Sequence, residues 1–216
     1  MTRDSNHPPK EDFNMNEDRP SIEEIDALQN NQQNEAYQFA LERTKRRYFE
    51  LCPELYRNTH GNFPGVNRDA MRKVLSFDPN STKGLLLIGD TGKGKTTAAW
   101  MLLQKLSHVD CKMIQAVRDP EFSREYSKRL GNGSADAWID RLCRVDILFI
   151  DDLGKAAITP RYKEQLYDVI DSRINNRKPT IVTSQYNRTK LIERFGDEDG
   201  KALVRRFIEW SEIINF

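Results

Sequence analysis

Short, largely apolar runs recur along the chain from residue 84 onwards, and polar, glycine or proline residues bound each of them. Their length of about five residues and their apolar character are typical of strands that are buried on both faces of a parallel sheet. The five runs cover residues 84–88, 112–117, 145–150, 180–183 and 212–216. We therefore predict five strands.

Stretches with helical periodicity separate these runs. Apolar side chains in them recur at intervals of three or four residues, which places them on one face of a helix. The predicted helices cover residues 97–103, 121–130, 135–143, 161–176 and 202–207. Since strands that alternate with helices form a parallel sheet with helices on both faces, the sequence predicts a three-layer α/β fold for residues 84–216.

The chain before residue 84 has a different pattern. Residues 1–33 are rich in Asn, Gln, Pro, Asp and Glu and have almost no aliphatic periodicity, so we expect a disordered tail. The tail is acidic, because the first 35 residues contain nine acidic and three basic residues. Helical spacing appears over 34–51 and again over 68–75. We interpret 34–83 as a helical extension in front of the α/β core, which contacts a partner or DNA.

Composition narrows the expected setting of the protein. The 216 residues carry a formal net charge of +1 and three cysteines, Cys52, Cys111 and Cys143, without a C-x-x-C pair. This pattern supports neither a disulfide framework nor a zinc site and favours a reducing cytosol. The chain has no apolar run near the roughly 18 residues of a membrane-spanning helix, and its N-terminus does not resemble a signal peptide. We expect a cytoplasmic protein without a membrane partner.

The segment between the first predicted strand and the next helix has the pattern of a phosphate-binding loop. Residues 89–96 match G-x-x-x-x-G-K-[ST]. The glycines allow backbone N–H groups to face phosphate oxygens, and the N-terminus of the following helix adds partial positive charge. The predicted contacts of a nucleoside triphosphate are Gly89, Asp90, Thr91, Gly92, Lys93, Gly94, Lys95, Thr96 and Thr97. In this pattern Lys95 reaches the β- and γ-phosphates, and Thr96 binds Mg²⁺.

Acidic and polar residues follow two other predicted strands. Asp151 and Asp152 come directly after the third run, and Gln185 follows the fourth. Ligands of parallel α/β sheets bind at the carboxyl ends of the strands. We therefore assign Asp151 to Mg²⁺ together with Thr96, Asp152 to the attacking water, and Gln185 to the γ-phosphate. The alternatives are a helix-capping role for the two acids and simple loop polarity for Gln185.

The order of these motifs resembles one family of nucleotide-binding proteins. The segments that carry the resemblance cover residues 84–97, 147–154, 166–173, 179–185 and 202–207. In their order and spacing they are similar to the AAA+ ATPases of the DnaC, DnaI and IstB group, which comprises helicase loaders and transposition helpers. The resemblance covers about 84–216 and implies a P-loop NTPase fold of the AAA+ type, with ATP and Mg²⁺ as cofactors. The fold expected from it has no C-terminal lid domain, because the chain stops at Phe216.

The resemblance also implies roles for arginines and for the sensor position. Arg206 occupies the place of the arginine finger, which acts on ATP bound to a neighbouring subunit, with Arg205 as the alternative. Gln185 stands where the family usually has asparagine, and Arg173 matches a family position without an assigned role. The catalytic set implied in this way is Lys95, Asp152, Gln185 and Arg206. Because the finger comes from a second subunit, an isolated monomer is expected to be a weak ATPase.

The family suggests a function in DNA metabolism. The resemblance implies an ATPase of DNA replication that self-associates through its ATP sites and loads or remodels a replicative helicase on single-stranded DNA. A transposition helper that serves a transposase is the alternative within the family, and a small P-loop kinase or a nucleotide switch without hydrolysis are alternatives outside it. Basic and aromatic residues interleave over 34–51, as they do in proteins that bind single-stranded DNA. The alternatives are a surface that contacts a helicase and a helix face that is only solvated. The basic residues are Arg43, Lys45, Arg46 and Arg47.

Overall fold

The structure is a computed structural model, and it describes residues 22–59 and 65–216. Its helices are α1 (Ile22–Leu51), α2 (Glu54–Arg57), α3 (Arg68–Leu75), α4 (Lys95–His108), α5 (Asp119–Gly131), α6 (Ala135–Arg144), α7 (Pro160–Asn175), α8 (Arg188–Phe195) and α9 (Glu198–Glu209). Its strands are β1 (Gly84–Ile88), β2 (Ile114–Arg118), β3 (Ile147–Asp151), β4 (Thr180–Ser184) and β5 (Ser211–Asn215). Within the described residues no helix has both the length and the hydropathy of a membrane span.

The five strands form one sheet in the order β2-β3-β4-β1-β5, and every neighbouring pair is parallel. Parallel neighbours need crossover connections, and helices provide them here. The carboxyl ends of all five strands therefore lie at one edge of the sheet. We call this edge the carboxyl edge and the opposite one the amino edge.

Strand side chains alternate between two hydrophobic clusters, one on each face of the sheet. Leu85 and Leu87 belong to the cluster that contains residues of α1, α3 and α4. Leu86 and Ile88 belong to the other cluster, together with residues of α5 through α9. The alternation follows from the pleat of a strand, in which successive side chains point to opposite faces. Helices thus cover both faces, which confirms the predicted three-layer fold.

The helix α8 and the start of α9 differ from the sequence prediction. Only Leu191 and Phe195 are buried in α8, so its periodicity is too weak to predict a helix. The helix forms because Asn187 Oδ1 accepts a hydrogen bond from the first turn and because these two side chains, four residues apart, pack in the core. Similarly, α9 begins at Glu198 instead of residue 202, after the capping residue Asp197.

The first helix begins earlier than the sequence pattern predicts. α1 starts at Ile22 instead of residue 34. The disorder expected for residues 1–33 stays a prediction, and residues 1–21 lie outside the described part of the chain. Glu, Gln, Ala and Leu have high helix propensity, and a helix that has already formed extends at little cost. Residues 40–216 form one compact unit, and the part of α1 up to Phe39 belongs to a separate unit.

Candidate nucleotide site

Three glycines with positive φ angles shape the connection between β1 and α4. The φ angle is 152° at Gly89, 80° at Gly92 and 98° at Gly94, and Gly94 is the left-handed N-cap of α4. A residue with a Cβ adopts this conformation at a cost in free energy. The chain curls here onto a helix N-terminus, whose first N–H groups have no intrahelical acceptor and attract anions. The other predicted contacts on this curl and the first turn of α4 are Asp90, Thr91, Lys93, Lys95, Thr96 and Thr97.

Lys95 is the buried cation of this loop. Its ammonium group donates hydrogen bonds to the carbonyl oxygens of Gly89 and Asp90, both at 2.7 Å. Burial lowers the pKa of Lys95, and the nearby carboxylates of Asp152 and Asp90 act in the opposite direction. Phosphate oxygens form strong, charge-assisted hydrogen bonds with such a group. The position therefore suits the predicted contact of Lys95 with phosphates.

Two hydroxyl groups bind the carboxylate of Asp151 beside the loop. Asp151 Oδ1 accepts hydrogen bonds from Thr96 Oγ1 at 2.9 Å and from Thr183 Oγ1 at 2.6 Å. Burial raises the pKa of Asp151, although both hydroxyl groups lower it. Carboxylate and hydroxyl oxygens are the hard ligands that Mg²⁺ prefers. This donor set fits the predicted metal role of Thr96 and Asp151, and a bound Mg²⁺ would neutralise phosphate charge there.

Asp152 lies next to this group in an unusual backbone conformation. Its φ angle is 64°, in the left-handed region that residues other than glycine rarely adopt. Its N–H donates to Thr183 Oγ1 at 2.9 Å, so one hydroxyl group binds both acidic residues. The Asp152 carboxylate forms an ion pair with Lys155 at 3.0 Å. The sequence pattern singles out neither Thr183 nor Lys155, because threonine in an apolar run is an ordinary strand residue.

Gln185 lies at the same carboxyl edge as the loop. The register of β1 and β4 pairs Ile88 with Ser184, and Gly89 N donates to Ser184 O at 3.3 Å. Gln185, the next residue, therefore lies beside the start of the loop, and it is half-buried. This location is compatible with contact to a terminal phosphate. Its role as a sensor stays a prediction.

Arg206 lies away from these residues. Its guanidinium group pairs with Asp171 at 2.6 Å. It lines a small cavity with Gly84 and Thr180, the first residues of β1 and β4, so it is near the amino edge. The neighbouring Arg205 is exposed on the same helix, α9. The structure thus brings Lys95, Asp151, Asp152 and Gln185 together and leaves both arginines outside the site of their own chain.

Arg173 is a buried structural residue. Its guanidinium group donates to the carbonyl oxygens of Leu142 and Val145, both at 2.8 Å, and of Pro179 at 2.6 Å. These acceptors lie at the end of α6 and just before β3 and β4. Arg173 therefore joins three elements at the amino edge and does not reach the candidate site.

A cavity of about 530 Å³ adjoins the two acids. Thr96, Asp151 and Asp152 line it together with aromatic side chains that include Tyr56 and Trp100. The two aromatic rings are nearly parallel, with centroids 6.5 Å apart. The acids therefore face open space instead of packed side chains, as a site that admits phosphate and water requires.

Solved structures share this architecture. The DnaC helicase loader has a TM-score of 0.60 and 22% identity, with coverage of 79% of this chain and 98% of that chain. DnaI has a TM-score of 0.58 and 25% identity, with coverage of 73% and 88%. The replication initiator DnaA bound to AMPPCP and single-stranded DNA has a TM-score of 0.61 and 17% identity, with coverage of 77% and 50%. The fold is that of a P-loop protein of the AAA+ type.

Sequence relatives give the particular family. The family of IstB-like ATP binding proteins matches residues 69–216, and the chain belongs to this family. The ATP-binding protein of insertion sequence IS1162 from Pseudomonas fluorescens is 36% identical over 104 residues, 47% of this chain and 43% of that protein. The XkdC protein of the phage-like element PBSX from Bacillus subtilis is 32% identical over 118 residues, 50% of this chain and 42% of that protein. The chain spans about half the length of the curated relatives that it matches.

Proposed function

We propose that this chain hydrolyses ATP, assembles through its ATP sites, and loads or remodels a replicative helicase on single-stranded DNA. Membership of an ATP-binding family supports the nucleotide, and the likeness to the DnaC and DnaI structures supports the helicase. One observation carries the proposal. The loop and the acid pair share the carboxyl edge, whereas Arg206 lies near the amino edge.

Each part of the site has a task in hydrolysis. The loop over residues 89–97 holds the phosphates, with Lys95 as its cation, and Thr96 and Asp151 hold Mg²⁺. Asp152 orients a water molecule and accepts its proton as the water oxygen attacks the γ-phosphorus. The bond from this phosphorus to the bridging oxygen breaks, and ADP leaves. Gln185 contacts the γ-phosphate from the end of β4.

The position of Arg206 requires a second subunit for catalysis. A head-to-tail contact joins two different surfaces of identical chains, and we propose one that places the amino edge of one chain against the carboxyl edge of the next. In such an assembly Arg206 reaches the phosphates of its neighbour and stabilises the charge of the transition state. An arginine supplied in this way contributes roughly 10³–10⁵ in rate. Turnover is therefore expected to rise with protein concentration.

The basic surface of α1 is narrower than the sequence pattern predicts. Tyr48 is fully buried against Trp100, and Arg47 is bound by Glu50 and Gln115, so these residues do not face a partner. Exposed basic and aromatic side chains in the part of α1 after residue 39 are Arg43, Arg46 and Phe49. Cations beside an aromatic ring suit a single strand, whose phosphates and bases they contact together. We propose single-stranded DNA as the ligand of this surface.

Transposition is the second candidate function. One relative is the ATP-binding protein of an insertion sequence, IS1162, and the matching family is named for IstB. Both names favour a role in transposition. The hydrolytic chemistry is the same in both candidates. They differ in the partner protein, a transposase in place of a helicase.

Phosphate release measured against protein concentration, with and without single-stranded DNA, tests the proposal. We expect a low rate at low concentration and a rise with concentration or DNA. Lys95→Ala and Asp152→Asn abolish the rise, and Lys128→Ala, at an exposed lysine of α5, keeps it. A wild-type protein that gains no activity from concentration, DNA or a helicase contradicts the proposal. Tight ATP binding without turnover would then favour a switch, and transfer to a nucleoside acceptor would favour a kinase.

A further inference from the structure

The loop that follows the acid pair is bound on all sides by other elements. Leu153 N donates to Thr183 O at 2.8 Å, and Leu153 O accepts from Ser184 Oγ at 2.8 Å. Both partners belong to β4. The first residue after Asp152 is therefore attached to the strand that the predicted sensor, Gln185, follows directly.

Asp119 binds this loop from the other side. It is the first residue of α5, directly after β2, and only 1% of it is exposed. Its carboxylate accepts hydrogen bonds from Gly154 N at 3.0 Å and Ala156 N at 2.8 Å, and also from the hydroxyl group of Tyr162. A buried carboxylate with several N–H and O–H donors is a strong fixed acceptor. All three of these bonds hold the loop or the start of α7.

Arg194 binds the carbonyl groups of the same two loop residues. Its guanidinium group, on α8, donates to Gly154 O and, at 3.2 Å, to Ala156 O. It also lies 5.4 Å from the centroid of the Tyr186 ring. Gly154 and Ala156 therefore have their N–H groups bound by Asp119 and their carbonyl groups bound by Arg194.

The conformation of Asp152 explains what this attachment is for. A left-handed residue other than glycine persists only when its surroundings hold it, and Asp152 has a φ angle of 64°. Gly154 also has a positive φ angle, and a Cβ there would come within 2.8 Å of Tyr186. At Gly154, two residues after Asp152, the backbone therefore lies closely against Tyr186 and is bound by both Asp119 and Arg194.

We propose that Asp119 and Arg194 are positioning residues for hydrolysis. They clamp residues 153–156 and thereby fix the Asp152 carboxylate where it meets the attacking water. The inference rests on the proposed function, because it assigns these side chains to the step that Asp152 performs. Neither Asp119 nor Arg194 takes part in the Lys95 contact of the phosphate loop or in the Thr96–Asp151 contact, so we expect ATP affinity to be independent of the clamp.

The test separates turnover from binding. Asp119→Asn removes one of the two acceptor oxygens, and Arg194→Lys removes the forked donor but keeps the charge. We expect the maximal rate of phosphate release to fall on the order of 10- to 100-fold, as a small displacement of a catalytic group causes. The dissociation constant for a fluorescent ATP analogue with Mg²⁺ should stay within about twofold, since neither residue takes part in the contacts of the phosphate loop. A twofold change corresponds to about 0.4 kcal/mol.

Matched controls lie on the same or neighbouring helices. Asp136→Asn on α6 and Arg188→Ala on α8 change exposed side chains of the same types and should leave both constants at the wild-type value. Tyr162→Phe removes one donor to Asp119 and keeps the ring, so we expect a smaller fall in the rate of phosphate release. This variant replaces Asp119→Asn in the test if Asp119→Asn does not fold.

The two levels of the proposal fail in different ways. Wild-type turnover together with unchanged turnover in Asp119→Asn, Arg194→Lys and Tyr162→Phe overturns the positioning role alone. Parallel losses of affinity and rate in these variants also overturn it, since they indicate general damage to the site. A wild-type protein without any turnover overturns the proposed function and the positioning role with it.

Discussion

The guanidinium group of Arg206 is bound by Asp171 of the same chain, at 2.6 Å from Nη1 to Oδ1. The same group lies 5.0 Å from the ring centroid of Tyr167. Asp171 and Tyr167 are both on α7, so this helix sets the direction in which Arg206 leaves α9. A guanidinium group has five N–H donors, and Asp171 uses only part of them. The side chain is therefore ordered and still has donors for an anion on a second subunit.

A mixture of two inactive variants tests the action of Arg206 across subunits. Arg206→Ala and Lys95→Ala each lose the stimulated ATPase rate, by roughly 10³-fold or more for the arginine. When they are mixed, a Lys95→Ala subunit supplies Arg206 to the intact site of an Arg206→Ala subunit. We expect the mixture to regain part of the wild-type rate. Phosphate release at constant total protein measures the recovery.

Arg205→Ala serves as the control for this experiment, because Arg205 is the exposed neighbour on α9. Its mixture with Lys95→Ala should show no recovery beyond the activity of Arg205→Ala alone. If Arg205→Ala loses the stimulated rate and Arg206→Ala keeps it, Arg205 is the trans-acting residue. An Arg206→Ala protein with full activity at every concentration contradicts the assignment of Arg206.

Thr183→Val removes the hydroxyl group that binds both acidic residues. The variant keeps the shape of the side chain but leaves the N–H of Asp152 unpaired and takes one donor from Asp151. An unpaired buried donor costs about 1–3 kcal/mol, so urea denaturation should show a loss in this range. Phosphate release should fall as well, because both acids lose a fixed contact. Thr183→Ser restores the hydroxyl group and should recover most of the stability and the rate.

The strands of the core were predictable because β1, β3 and β4 are buried on both faces and are therefore nearly continuous apolar runs. α8 was not, since its helical state depends on a cap and on two buried side chains instead of a full apolar face. A strand buried on both faces leaves a continuous apolar run in the sequence, whereas a helix that depends on a cap and two buried side chains leaves only a weak pattern.

The candidate site also has a part that the sequence predicts and a part that it does not. The loop and the acid pair lie in contiguous segments with a strong pattern, and the structure brings them together through Thr96 and Asp151. Thr183 and Asp119 act through hydrogen bonds to residues more than 30 positions away in the chain. No spacing rule reports such contacts, because the sheet order decides which strand ends become neighbours.

The Mg²⁺-dependent part of ATP affinity should weaken on acidification. Burial raises the pKa of Asp151, so this carboxylate takes up a proton at a higher pH than an ordinary aspartate. The protonated group is a poor ligand for Mg²⁺, and the advantage of Mg²⁺ over EDTA is therefore lost as pH falls through the raised pKa. Titration of a fluorescent ATP analogue at a series of pH values measures this difference. Asp151→Asn should show little Mg²⁺ advantage at any pH, and a wild-type advantage that is unchanged down to the usual aspartate range contradicts the prediction.

Replacement of Arg173 should destabilise the fold while the site residues remain intact. Its guanidinium group is fully buried and binds carbonyl oxygens at the end of α6 and before β3 and β4, so Arg173→Met leaves several buried acceptors unpaired. Each unpaired acceptor costs about 1–3 kcal/mol, and we expect a total loss on the order of 3 kcal/mol or more in urea denaturation. Arg188→Met, at an exposed arginine of α8, should change the free energy of unfolding by less than about 0.5 kcal/mol. Below the unfolding transition, Arg173→Met should bind the ATP analogue with wild-type affinity, because its contacts lie at the amino edge. A stable Arg173→Met protein that has lost ATP binding would instead place Arg173 in the site.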